Sequence, residues 1–133
     1  TTEIYTLSLH DALPISALES CPDYVEEMRQ AFESRRDYLY KRIQALPGIS
    51  CPFPDGAFYL FPDVSALFGK RAGDRSLQNA GDLADYLLDE AGVALVPGEA
   101  FEAPWAIRFT YSNSMENLTE AMDRIESALE KLV

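Results

Sequence analysis

Histidine is all but missing from this chain. Its 133 residues include one, His10. Cysteine is scarcely more frequent: Cys21 and Cys51 are the full set. Two cysteines are too few for a disulfide framework or a metal cage, so both read as free thiols of a reducing, cytoplasmic compartment. Long apolar runs are missing too. None approaches the ~20 residues that a membrane-spanning helix needs. Positive charge is scarce, with 11 Lys and Arg against 22 Asp and Glu and a formal net charge of −11. A surface of that sign repels nucleic acid and anionic lipid, so neither is expected as a partner. What remains is an ordinary globular balance, 47% hydrophobic and 25% charged, in a length that suits one domain.

The single histidine sits in the opening stretch TTEIYTLSLHDALPIS, directly before Asp11. A secretory signal would need a basic start and a continuous apolar core, and residues 1–16 have neither. Alternation of Ile4, Thr6 and Ser8 against Tyr5, Leu7 and Leu9 would suit an edge strand. Residues 1–15 also resemble, residue for residue, the translation of a common sequencing-adaptor oligonucleotide, whose last base can open the codon of Ser16. Read that way, 1–16 is a non-native segment and the His10–Asp11 pair is an accident. The native part, 17–133, then has no histidine, which excludes histidine-based metal sites, triads and proton shuttles. It keeps 11 basic and 20 acidic residues once Glu3 and Asp11 are set aside. A C-terminal piece of a longer protein is the expectation.

Along the native part, apolar periodicity predicts a long helix from Asp23, with Val25, Met28, Phe32, Leu39, Ile43 and Leu46 on one face. Asp23 and Glu26 would cap its start, and Asp37 and Lys41, four apart, would pair on its surface. Pro47-Gly48 ends it. Pro52 and Pro54 forbid a long central strand after it. AFYLF, residues 57–61, reads as a strand, and 69–81 reads as loop. Gly69-Lys70 there is no phosphate-binding loop, because Arg71 stands where a magnesium-holding hydroxyl is required. A short helix from Asp82 to Gly92 turns Leu83, Leu87 and Tyr86 inward. VALVPG reads as a short buried strand and AIRFTYS as another. A closing helix carries Leu118, Met122, Ile125, Leu129 and Leu132 on one face, with Asn113 and Glu116 as its capping box. The architecture this predicts is α+β, a small mixed sheet packed against two long helices.

One residue points to chemistry. In AIRFTYS, Ile107, Phe109 and Tyr111 share one face of the strand, and Arg108 and Thr110 share the other. A guanidinium stays charged and is costly to bury alone, so Arg108 requires a partner. Two are open from pattern alone: an acid of this chain, or a ligand carboxylate held by two parallel hydrogen bonds.

Four stretches together resemble the C-terminal small domain of the fold-type I pyridoxal-phosphate aminotransferases of class I and II, nearest to the bacterial aspartate aminotransferase group. They are RRDYLYKRIQALPGI, PDGAFYLFPDVS, LLDEAGVALVPGEAFEAP and IRFTYSNSMENL. The resemblance implies that 17–133 is this small domain, without the large cofactor-binding domain. It implies that Arg108 binds the α-carboxylate of the amino-acid substrate, and that Phe58, in GAFY, lines the cleft, its other reading being plain core. Pro97-Gly98 would shape the turn that delivers the arginine strand, and Phe101 would serve packing. Trp105 and Glu102 depart from the family pattern, which favours glycine at both places.

The chemistry so implied requires a lysine in Schiff-base linkage to pyridoxal 5'-phosphate. Lys41, Lys70 and Lys131 do not stand in a Ser-x-Ser-Lys context. The resemblance therefore assigns no catalytic, cofactor-binding or metal-binding residue to this chain. It implies a homodimeric parent enzyme moving an amino group between an amino acid, aspartate or glutamate, and a 2-oxo acid, with the 133-residue piece inactive alone. The alternative from another class is a free-standing, non-enzymatic α+β module that binds a small molecule through Arg108.

Overall fold

A computed structural model describes Ser16 and residues 22–133. The opening segment read as adaptor-derived, His10 included, lies outside the described residues apart from Ser16, and so does Cys21. Residues 1–31 and 32–133 form two units by packing.

Helix α1, Pro22–Gln44, crosses from one unit into the other. It opens on Pro22, whose missing N–H costs nothing in a first turn. Asp23 therefore lies inside the first turn and is not its cap. Glu26 does not cap either, because its carboxylate takes Arg29 at 2.8 Å and Gln30 at 2.9 Å. Those two donors, Arg29 first, pull the Glu26 carboxyl down to about 2. The predicted apolar face is buried only in its second half. Leu39 and Ile43 are core, followed by Leu46 beyond the helix end, whereas Val25 and Met28 are exposed. Periodicity marks a face and says nothing of what covers it. Asp37 pairs with the neighbouring Arg36 at 2.7 Å rather than with Lys41.

In the unit 32–133, three strands form an antiparallel sheet in the order β1 (Tyr59–Leu60), β5 (Ile107–Thr110), β4 (Val96–Pro97). Leu60 lies opposite Phe109, and Val96 opposite Arg108. The sheet is thus not mixed as predicted. The chain returns from β4 into β5 through residues 98–106, with the Gly98 N–H bonded to the Ala106 carbonyl at 2.9 Å, and neighbouring strands joined by so short a reversal pair antiparallel. AFYLF contributes two strand residues, because Ala57 turns left-handed at φ 64 and Pro62 brings no N–H. The prolines act as expected, and Ser50 makes only an isolated bridge to Asp63. The β4 stretch is part-buried rather than buried.

The stretch read as loop holds a two-stranded hairpin, β2 (Arg71–Ala72) and β3 (Arg75–Ser76), with Ala72 opposite Arg75. Gly73, at φ 59, takes the first position of its two-residue turn. Glycine there is a hairpin signal that the absence of an apolar period hid.

Helix α2, Ala80–Ala91, starts two residues earlier than predicted, because the Asn79 side chain accepts from the Asp82 N–H. Gly92, at φ 65, ends it. Helix α3, Met115–Leu129, is capped by Ser114, not Asn113. The Ser114 hydroxyl accepts from the Asn117 N–H, and the Asn113 side chain holds Ser114 and Asn117 instead. Leu83, Leu87 and Tyr86 of α2 meet a core that includes Leu118, Met122 and Ile125 of α3. The Tyr86 hydroxyl donates to the Ala128 carbonyl at 2.8 Å. Each fully buried Leu, Ile or Met contributes about 1.5–3 kcal/mol relative to exposure, so this interior fixes the sheet that carries Arg108. Cys51 is a free, buried thiol, and burial pushes its pKa up. No described helix is long and apolar enough to cross a membrane.

Candidate functional site

Strand β5 sorts its side chains as the alternation requires. Ile107, Phe109 and Tyr111 are buried, while Arg108 is part-buried and Thr110 exposed on the other face. Burial of three large side chains on one side leaves Arg108 no freedom to turn inward. Its guanidinium lies between two rings, 4.8 Å from the centroid of Phe101 and 5.6 Å from that of Tyr59. Each cation–π contact contributes about 0.5–1 kcal/mol where water has access. Neither ring uses a guanidinium N–H donor. Among the described residues no carboxylate pairs with Arg108, and no side chain hydrogen-bonds its guanidinium. Of the two partners open in the sequence, the internal acid is thus not found among the described residues. The five N–H donors in their planar fork remain available to a ligand oxygen pair.

The two rings come from opposite sides of β5. Tyr59 pairs with Thr110, which places it on the same sheet face as Arg108 and diagonal to it, within reach of a long side chain. Phe101 ends a 3₁₀ turn, Gly98–Phe101, that follows β4. Gly98 is essential to that turn. A Cβ there would stand 2.0 Å from the Ala103 carbonyl oxygen and 2.5 Å from that of Ala106. The Gly98 N–H donates to Ala106 and its carbonyl accepts from Ala103, both at 2.9 Å. Glu102 then adopts φ 58, a left-handed conformation in which glycine is at ease and a side chain is strained. The family preference for glycine at that place has here its physical reason. Pro97-Gly98 does shape the turn leading to the arginine strand. Phe101, predicted as packing only, stacks edge-on against Phe61 at 5.8 Å and also faces the guanidinium.

Phe58 is 53% exposed, so its core reading is overturned by exposure. Its ring meets Tyr59 edge-on at 5.7 Å, continuing the aromatic row that reaches Arg108. Trp105, the other departure from the family pattern, is also exposed. The reading of the sequence missed Tyr59 as a brace. The available signal was register: an aromatic two residues from Gly-Ala, on a strand pairing with β5, must share a face with either Arg108 or Phe109.

Pyridoxal phosphate requires a lysine in a secluded site, and the lysines here do not fit that role. Lys41 is on the exposed side of α1. Lys131 is exposed and ion-paired with Glu90 at 3.1 Å. Lys70 is part-buried beside the β2–β3 hairpin, where its backbone pairs with Leu77. The described residues thus present a guanidinium with spare donors and no lysine placed to hold that cofactor.

Known proteins share this arrangement of helices, sheet and turn. The family model for aminotransferase class I and II matches residues 5–125. A protein of Aquifex aeolicus named "Probable aspartate/prephenate aminotransferase" is 40% identical over 131 residues, 98% of this chain and 32% of that protein. The crystal structure of the aspartate aminotransferase from Rhizobium meliloti superposes with a TM-score of 0.88 at 34% identity, covering 92% of this chain and 31% of that one. The alanine aminotransferase from Pyrococcus furiosus gives 0.74, also at 34% identity, covering 87% and 28%. The chain spans about a third of the length of these relatives. With the match running over most of its residues and the fold reproduced, the chain belongs to the class I and II aminotransferase family.

Proposed function

We propose that the full-length protein is a pyridoxal-phosphate-dependent aminotransferase moving an amino group between an amino acid and a 2-oxo acid. In it, residues 17–133 form the small domain that binds the substrate α-carboxylate through Arg108. The observation that carries this reading is the guanidinium itself, braced by Phe101 and Tyr59 and without a carboxylate partner among the described residues. A fork held on two ring faces has little orientational freedom left to lose on binding. Its two parallel N–H···O bonds would fix the substrate's orientation, which is where positioning contributes to rate. Phe58 would line the same cleft and keep water from it.

Bound cofactor would supply the electron sink for the α-carbon. The lysine that must hold it, and the groups that read the substrate side chain, belong to parts of the protein that this chain does not contain. The named relatives favour aspartate, and with it glutamate, as amino donor. The α-carboxylate is common to aspartate and alanine, so Arg108 serves either class of relative equally. A homodimer agrees with the family resemblance, and a reducing, cytoplasmic setting with the scarcity of cysteine. Residues 1–16 would contribute nothing to the chemistry.

The test is an amino-transfer assay on the full-length protein with added pyridoxal phosphate, aspartate and 2-oxoglutarate, beside the 133-residue chain alone. Transfer by the former and none by the latter is expected. No transfer by the full-length protein with any amino acid would contradict the reading and favour a binding module.

A further inference from the structure

The turn before β1 is held from one place. Ala57, a residue with a side chain, sits at φ 64, where L-residues are disfavoured. Three donors from the end of β5 reach this turn. The Tyr111 hydroxyl donates to the Ala57 carbonyl at 2.9 Å, the Tyr111 N–H to the Phe58 carbonyl at 2.9 Å, and the Thr110 hydroxyl to the same Phe58 carbonyl at 3.2 Å. Tyr111 is 2% exposed, and its ring is fixed edge-on against Phe32 at 6.3 Å. Burial raises its phenol pKa, with nearby Arg36 opposing and Asp37 adding to the rise, so the hydroxyl keeps its proton and remains a donor. Directly after Ala57 come Phe58, exposed, and Tyr59, whose ring braces Arg108. The row from the Tyr111 hydroxyl to the guanidinium is therefore continuous: buried phenol, strained turn, aromatic pair, fork.

We propose that Tyr111 is a positioning residue: its buried hydroxyl holds the Ala57 turn, and through it the Phe58–Tyr59 pair that aims the Arg108 guanidinium at the substrate carboxylate. This rests on the carboxylate-binding reading of Arg108. Tyr111 touches no substrate. It acts by keeping the turn in a conformation that the sequence there disfavours.

The experiment uses the full-length protein with its cofactor and four variants. Tyr111→Phe removes the hydroxyl and keeps the ring. The expected result is a rise in KM for the amino-acid substrate of about tenfold with kcat within about twofold, the signature of weakened uniform binding. Adding Ala57→Gly to that variant should return KM to within about threefold of the wild type, because glycine takes a positive φ without strain. A residue that mattered only for packing would not be rescued by a glycine at the turn. An unchanged KM in Tyr111→Phe overturns the proposal, and so does a raised KM that Ala57→Gly leaves in place. Should Tyr111→Phe fail to fold, Thr110→Val removes the second side-chain donor from an exposed position. A KM rise of about threefold is then expected, and an unchanged value overturns the proposal. Arg108→Lys separates the two levels: raised KM there with no effect at Tyr111 refutes the positioning role alone, whereas unchanged KM in Arg108→Lys refutes the carboxylate reading with it.

Discussion

Two regions of the unit 32–133 each hold an arginine against aromatic rings, and they use it in opposite ways. At the seam of α1 and α3, Arg42 lies 5.7 Å from the Tyr38 ring centroid. It donates to the Tyr38 hydroxyl, to Glu126 at 3.0 Å and to Asp123 at 2.7 Å. Asp123 above all, with Glu126 and Tyr38, pushes its pKa above the already high ordinary value. On the open face of β5, Arg108 has rings on both sides and no carboxylate among the described residues. A guanidinium that ties elements together spends its donors inside the fold. One whose orientation is fixed and whose donors are spare is equipped for a ligand.

The comparison breaks most severely at Gly98. Gly98→Ala places a methyl group 2.0 Å from a backbone oxygen. Backbone cannot yield as a side chain would, so a loss of about 3 kcal/mol or more in unfolding free energy is expected. The turn that carries Phe101 would go with it. Denaturant melts would show the loss, and an unchanged midpoint would mean that the turn relaxes freely. At the other arginine, Arg42→Met keeps the aliphatic stem and removes three hydrogen bonds. With the Arg42 side chain 23% exposed and both acid partners more so, a loss of about 1 kcal/mol is expected, seen as a melting temperature lower by a few degrees. Substrate KM should not move. A KM change in Arg42→Met would erase the distinction between the two regions.

The smallest effect is a titration. Glu26 has its pKa lowered by Arg29 and then Gln30, from the ordinary 4.5 to about 2. A depressed carboxyl favours the folded helix above the unfolded value and loses that contribution as pH falls through the folded one. Helix α1 should therefore keep this pair down through pH 4.5 and lose it near pH 2. Carboxyl NMR titration reads the midpoint directly, and an ordinary value would show that the exposed pair does not persist.

The contrast between the two arginines was half legible in the sequence. Strand alternation placed Arg108 opposite Ile107, Phe109 and Tyr111, because a period of two needs only the residues themselves. Apolar spacing found α2, α3 and the buried end of α1 for the same reason. The failures have local physical causes. Helix starts were misplaced by one or two residues because Pro22, Asn79 and Ser114 compete with equally plausible neighbours, and local geometry decides among them. The hairpin at Gly73 escaped because its strands are two residues each, half of them exposed, and too short to show an apolar alternation. Phe101 and Tyr59 could not be assigned to Arg108, since they approach from 7 positions before it and 49 before it, joined only by sheet register. The family resemblance suggested a role for Arg108, and pattern alone left its partner open.

The most direct test compares two substrates on the full-length protein, wild type and Arg108→Ala. One is the preferred amino acid, and the other is the amine that remains when its α-carboxylate is removed. Wild type should favour the amino acid strongly, and Arg108→Ala should lose about a hundredfold in kcat/KM for it, about 2.7 kcal/mol, while the amine is handled almost as before. The ratio between the two would then collapse. A ratio that survives Arg108→Ala would mean that some other group reads the carboxylate, and that the spare fork on β5 serves a different purpose.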